Sequence, residues 1–204
     1  MKTTSMSWPW LHGRRSALDM LADRSGIAAT EFAVIVPVML VMVFGVIEFS
    51  SGLAVDRKVT IMARTMSDLV SQSKTVDDTV INNFFTASNA IMAPYSPTPA
   101  KTTITEIYID PKTGGARAQW SKGAAPRGPG SPVTVPANLI ATDPVTHAIL
   151  PNQYLIFSEI SYLYVPTVGY VMAKAGINLR DVAFTRPRQS ICVFYSPATA
   201  CTTL

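Results

Sequence analysis

The sequence has few charged residues, histidines or cysteines, and each shortage argues against a class of function. Only 15% of its 204 residues are charged, and 17 Lys and Arg against 13 Asp and Glu give a net charge of +4. The basic residues are scattered rather than grouped with aromatic residues, which argues against nucleic acid as a partner. Two cysteines exclude a multi-cysteine zinc site. His12 and His147 have no cysteine or carboxylate near them at metal-ligand spacing, so no metal, cofactor or catalytic residue is predicted.

Charge is missing most completely between Glu31 and Glu48, where the sixteen residues FAVIVPVMLVMVFGVI carry no strongly polar side chain. With its weakly polar flanks the tract reaches about 28 residues, or about 42 Å as a helix, which is enough to span a bilayer. A buried core helix is the alternative. Pro37 and Gly45 would weaken a soluble helix but are common in membrane spans. The tract therefore predicts a transmembrane helix over residues 27–54.

The residues before this tract do not form an ordinary secretory signal. They are numerous and polar, and no convincing cleavage site follows the apolar run. Four basic residues precede the span and four follow it as closely, so the charges alone give no orientation. Any processing is expected before the apolar segment.

The junction GIAATEF at residues 26–32 resembles a type III (prepilin) leader junction, where a basic leader ends in glycine and the next helix has glutamate at its fifth position. The wider pattern is similar to that of the TadE-like proteins, minor pseudopilins of the tight-adherence (Flp/Tad) pilus system. Ile27, in place of the phenylalanine usual in type IV pilins proper, favours the Tad branch. The residues that match the family pattern are Arg24, Gly26, Glu31, Phe32, Pro37, Gly45, Glu48 and Phe49.

This resemblance implies a leader over residues 1–26 that is cut by a prepilin peptidase between Gly26 and Ile27, close to Arg24. It implies a cytoplasmic N-terminus, a single span of the bacterial inner membrane and a periplasmic remainder. The implied role is to initiate or support assembly of a Tad pilus. The implied partners are other pilins and pseudopilins, the inner-membrane assembly platform and the lipid bilayer. The alternatives are an uncleaved, permanently anchored structural component and, without a catalytic motif to support it, a membrane-tethered periplasmic enzyme.

The two glutamates of the tract need separate explanations, because a carboxylate in hydrocarbon requires a partner or water. After cleavage, the new amino group of Ile27 would be cationic at neutral pH. Glu31 could pair with it in its own chain or in a neighbouring subunit, so Glu31 and Phe32 are predicted assembly residues. An unpaired position among the cytoplasmic headgroups is the alternative. Glu48 is expected about 25 Å further along the helix, at the opposite boundary, with a contact to another pilus component as the alternative.

The rest of the chain predicts an α+β, pilin-like fold. The long helix is expected to continue into an amphipathic helical stalk over residues 55–92, packed on a small antiparallel β-sheet domain over residues 93–204. A coiled-coil seam with another subunit is the alternative use of the stalk. A second helix fits residues 76–92, capped by Asp77 or Thr75. The apolar stripe of the stalk consists of Val55, Val59, Met62, Met66 and Leu69.

Alternating and β-branched residues predict the strands of this domain. TTITEIYID and ARAQWS form a hairpin around PKTGG, residues 152–171 form a long strand, and residues 183–196 form another. MAKAGINLRD between the last two is expected to be a short helix or an irregular connection, and residues 122–138 a long surface loop. Cys192 and Cys201 are predicted to form a disulfide, with two free thiols as the alternative.

Overall fold

The computed structural model describes residues 25–166 and 175–201. Its first element is helix α1, Ser25–Ser71, which contains the apolar tract and Pro37. The chain divides between Ile47 and Glu48 into two compact units. Most of the predicted leader, including Arg24, lies outside the described residues.

In the first unit, the described part of α1 leaves its apolar side chains exposed. Phe32, Met42 and Val46 are 69%, 66% and 65% exposed. A core helix of a soluble domain would have one apolar face covered, so the buried-helix alternative does not fit. Within the described residues, α1 is the one helix long and apolar enough to cross a membrane.

The second unit contains the rest of α1, a short helix and two sheets. Helix α2 is Asp78–Asn89, and a 3₁₀ turn, Ala90–Met92, follows it. The Asp77 carboxylate accepts a hydrogen bond from the backbone N–H of Val80 over 2.7 Å, which confirms it as the predicted cap. The helical turns end before Pro94, in agreement with the sequence.

The described strands are β1 Thr75–Val76, β2 Ala100–Ile109, β3 Ala116–Gly123, β4 Pro132–Val133, β5 Gln153–Tyr164, β6 Ile177–Thr185 and β7 Phe194–Tyr195. Five of them form the main antiparallel sheet in the order β4-β3-β2-β5-β6. β2 and β3 form the predicted hairpin, with Ile109 opposite Ala116. A second, two-stranded parallel sheet joins β1 to β7. The α+β fold with an antiparallel sheet is thus confirmed.

The stripe of α1 packs on one face of the main sheet. Four of its five predicted positions are fully buried, and Val70 takes the place of the half-buried Leu69 at the end. The stripe meets β5 at Ile160, Tyr162 and Tyr164, and the Ser158 hydroxyl donates to a backbone carbonyl of α1. The chain's own sheet therefore covers the stripe, and the coiled-coil alternative was wrong.

The last long strand does not lie where the sequence predicted it. β6 begins at Ile177, inside the segment expected to be a helix or an irregular connection, and it ends at Thr185. Pro187 follows, and its missing N–H prevents it from donating to a strand ladder. The chain then returns to the end of α1, where the Arg188 N–H donates to the Ser71 carbonyl over 2.9 Å. After Thr185, the only residues of the predicted strand 183–196 that are in a strand are Phe194 and Tyr195.

Two further predictions need smaller adjustments. The long strand predicted over residues 152–171 is confirmed as far as Tyr164, and residues 167–174 lie outside the described residues. The proline- and glycine-rich segment 122–138 is mostly irregular, as predicted, but it contributes β4, which pairs Val133 with Ala116. Both differences concern which residues pair with a neighbouring strand, and strand pairing depends on contacts between segments that are distant in the sequence.

Candidate membrane anchor and assembly site

The residues of the predicted cleavage junction lie in the first turns of α1. Gly26 and Ile27 are exposed, and a Cβ at Gly26 would have no neighbouring atom within 4 Å. Glycine weakens a helix by roughly 0.5–1 kcal/mol relative to alanine. The Thr30 hydroxyl donates to the Ile27 carbonyl over 2.8 Å, a local bond typical of this residue type in a helix. The peptide bond between Gly26 and Ile27 is therefore in an exposed turn of α1 that contains a weak helix former.

Glu31 and Phe32 lie in the first unit, and both side chains are exposed. Phe32 is 69% exposed, and Glu31 also belongs to the exposed class. Residues four apart are neighbours on one helix face, so Glu31 lies one turn beyond Ile27. Its carboxylate can therefore reach a cation at the start of its own helix or one supplied by another molecule.

Glu48 is in a different environment from the one the sequence suggested. It is only 3% exposed and lies in the same compact unit as the sheet. Burial, together with a smaller contribution from the nearby Glu48 carboxylate, raises the pKa of Tyr164 at the end of β5. The Ser51 hydroxyl interacts with the same phenol. Glu48 is therefore buried beside the sheet of its own chain, close to Tyr164.

The structure does not bring the two glutamates together. Sixteen residues separate them in the sequence, about 25 Å along a helix. Glu31 is exposed, whereas Glu48 is buried against Tyr164. The two carboxylates therefore lie in different environments, one exposed and one buried.

Cys192 and Cys201 are joined by a disulfide, with their Cα atoms 5.8 Å apart. Cys192 is 1% exposed and packs with Tyr108 and Tyr154 on the sheet. The predicted pairing is therefore the one found in the structure. The disulfide closes a short loop near Tyr154, at the start of β5, whereas Tyr164 lies at the other end of the strand.

A buried carboxylate, Glu106, was missed by the sequence analysis. Glu106 is 3% exposed in the middle of β2, and it accepts a hydrogen bond from the Val193 N–H. Burial raises its pKa to about 7, against the lowering effects of the Val193 N–H and the Trp120 indole. TTITEIYID alternates in sequence, yet β2 is covered on both sides from Thr103 onward.

Within residues 25–166 and 175–201, no three His, Cys, Asp or Glu side chains lie close enough together to hold a metal ion. Two ion pairs join separate segments of the second unit. Arg188 pairs with Asp68 of α1, and Lys122 of β3 pairs with Asp78 of α2.

The model of the family described as TadE-like protein matches residues 26–66 of the chain. No curated protein and no solved structure matches the chain. The matched segment lies wholly within α1 and includes the junction residues, both glutamates and most of the buried stripe. The resemblance drawn from the sequence is thereby confirmed, and residues 26–66 are the TadE-like segment of this chain.

Proposed function

We propose that the chain is a minor pseudopilin that a prepilin peptidase processes and that supports initiation or assembly of a Tad pilus at the inner membrane. The observation that carries the proposal is that the TadE-like match coincides with an exposed apolar helix. TadE-like proteins are structural components associated with Tad pili, so the role is one of contacts rather than catalysis. Other pilins, pseudopilins and the assembly platform are the proposed partners.

The proposed topology follows from the position of the junction. Prepilin peptidases act at the cytoplasmic face, so residues 1–26 would lie in the cytoplasm and the second unit in the periplasm. A single apolar helix fits such an anchor. The disulfide agrees with this placement, because disulfides persist in the oxidising periplasm and are rare in the cytoplasm.

Glu31 would act after cleavage. Removing the leader creates a cationic amino group on Ile27, and the exposed Glu31 carboxylate of a neighbouring subunit can pair with it. In a low-dielectric surrounding, such a pair favours one axial register of two helices over the others, because a shifted register leaves both charges unpaired. Charge pairing thus becomes an assembly signal.

Mass spectrometry of the mature protein tests the processing step. Expression beside an active prepilin peptidase should yield a chain that begins at Ile27. Gly26→Leu should abolish cleavage because it places a large side chain at the junction, whereas Gly45→Leu, in the middle of the apolar tract, should leave cleavage intact. The full-length chain alone, with the peptidase shown to be active on another pilin, would instead support the uncleaved structural component.

A further inference from the structure

The end of the main sheet that carries Tyr164 lies beside the last turns of the predicted membrane span. A Cβ placed at Gly52 of α1 would be 3.5 Å from the Tyr164 ring. Residues 48–54 of the span belong to the same compact unit as the sheet. In these turns, Phe49 and Leu53 are 65% and 44% exposed. The sheet end is therefore level with helix residues that should still face lipid.

Two apolar side chains converge at this sheet end and are exposed. Tyr164 faces α1, so its neighbours Leu163 and Val165 face the other side of the strand. They are 45% and 57% exposed. Both lie against Gly176, where an added Cβ would be 3.1 Å from Leu163 and 3.2 Å from Val165. Ile177 pairs with Tyr164, so its side chain is on the α1 side of this sheet end, and it is also exposed.

Two cationic residues lie further from the sheet end, on the face that carries Leu163. Lys101 of β2 and Arg180 of β6 both pair with Ser161 of β5, and both are exposed. Ser161 precedes Leu163 by two residues, about 7 Å along a strand. The two cations border a cavity of about 370 Å³, in which the nearby Arg127 is already paired with Glu159. Asp181 also lines the cavity and offsets part of the positive charge.

We propose that this sheet end, formed by Leu163, Val165 and Ile177 with Lys101 and Arg180 behind them, docks on the surface of an anionic bilayer. The apolar tip enters the interface beside the helix, and the two cations meet lipid phosphates about 7 Å further out. The spacing of apolar tip and cations follows the order of groups from hydrocarbon to headgroup. This docking holds the second unit against the membrane. The proposal depends on the proposed membrane span of α1.

Nitroxide labels on the full chain in vesicles of phosphatidylcholine and phosphatidylglycerol test this docking. The native cysteines are disulfide-bonded, so a cysteine introduced as Val165→Cys can be labelled alone without reduction. Val145→Cys is the matched control, since Val145 is 83% exposed in a loop held to the Gln153 end of β5. Met42→Cys reports on the span itself. Oxygen partitions into lipid, so it should relax the labels at positions 165 and 42 more than a water-soluble nickel complex does. The label at position 145 should be relaxed more by the nickel complex than by oxygen.

Each outcome is decisive. A 165 label that behaves like the 145 label while the 42 label is in lipid overturns the docking and leaves the span intact. A water-exposed 42 label contradicts the span and the docking together. A 165 label shielded from both reagents indicates a protein contact, such as a second copy, and also overturns the proposal.

Lipid composition tests the cations separately. Raising the phosphatidylglycerol fraction should increase the preference of the 165 label for oxygen over nickel. The double variant Lys101→Gln/Arg180→Gln should lose that dependence, whereas a double variant that responds as strongly as the parent protein would show that the cations do not contact the headgroups.

Discussion

The buried carboxylate of Glu106 accepts a hydrogen bond from the backbone N–H of Val193, which joins the centre of the sheet to the C-terminal segment. The indole of Trp120 donates to the carbonyl of the same Val193 over 2.9 Å. Both backbone groups of one residue are thus held by side chains from neighbouring strands.

The first prediction concerns the pH dependence of unfolding. Burial raises the pKa of Glu106 from 4.5 to about 7, so the folded state keeps a proton that the unfolded state has lost. The stability contributed by this group is therefore fully present below pH 4.5 and is lost as pH rises to about 7. The loss amounts to roughly 3 kcal/mol. Glu106→Gln should remove this part of the slope in denaturant titrations of the detergent-solubilised protein.

Ser158→Ala is the matched control, because it removes a buried hydrogen bond without removing a titrating group. It should lower the free energy of unfolding at every pH and leave the slope between pH 4.5 and 7 unchanged. An equal slope in the parent protein and in Glu106→Gln would assign the pH dependence to other groups.

The second prediction concerns packing of α1 on the sheet. Met62 is fully buried, whereas its neighbour Ile61 is 51% exposed. Met62→Ala should destabilise the second unit by about 2–5 kcal/mol, because it leaves a cavity between helix and sheet. Ile61→Ala should cost much less. Denaturant titrations of the two variants compare them directly, and equal losses would argue against the described packing.

The third prediction concerns the disulfide. Alkylation without prior reduction should leave Cys192 and Cys201 of membrane-extracted protein unlabelled, and complete labelling would show free thiols. Replacing both by serine should lower the free energy of unfolding by about 2–3 kcal/mol, since the unfolded chain gains the freedom of a short loop. A double variant as stable as the parent protein would contradict this estimate.

The fourth prediction concerns assembly. Glu31→Gln removes the charge with little change in size, so insertion and cleavage should persist while pili are lost. An unpaired ammonium group in a buried site costs roughly 3–5 kcal/mol. Glu31→Asp keeps the charge and should retain part of the piliation. The measurement is a count of surface pili in a strain without the native copy, with processing checked by blot.

Glu48→Gln serves as the comparison for Glu31→Gln. Since Glu48 is covered by its own sheet, its replacement should act on the stability of the second unit and have a much milder effect on piliation. Normal piliation by a cleaved Glu31→Gln protein would leave Glu31 as an interfacial residue only.

The sequence predicted those features that depend on local pattern. The long apolar helix, the stripe from Val55 to Met66, the Asp77 cap and the β2–β3 hairpin all follow from periodicity, charge and turn residues within short windows. Glu48, by contrast, is buried by a tyrosine more than a hundred positions away, and no local signal predicts that contact. The prediction of β6 failed for a related reason. It is an edge strand with two adjacent charged residues, Arg180 and Asp181, in its middle, so its hydrophobic alternation is weak.

The parallel pairing of β1 with β7 affects the order in which the protein can fold during synthesis. β1 follows directly on α1, yet its partner strand emerges from the ribosome after every strand of the main sheet. Until then, Val70, Val76 and Ile81 lack the apolar cover that Val193 supplies. A nascent chain would therefore leave this cluster incompletely covered until the last strand, Phe194–Tyr195, has been synthesised.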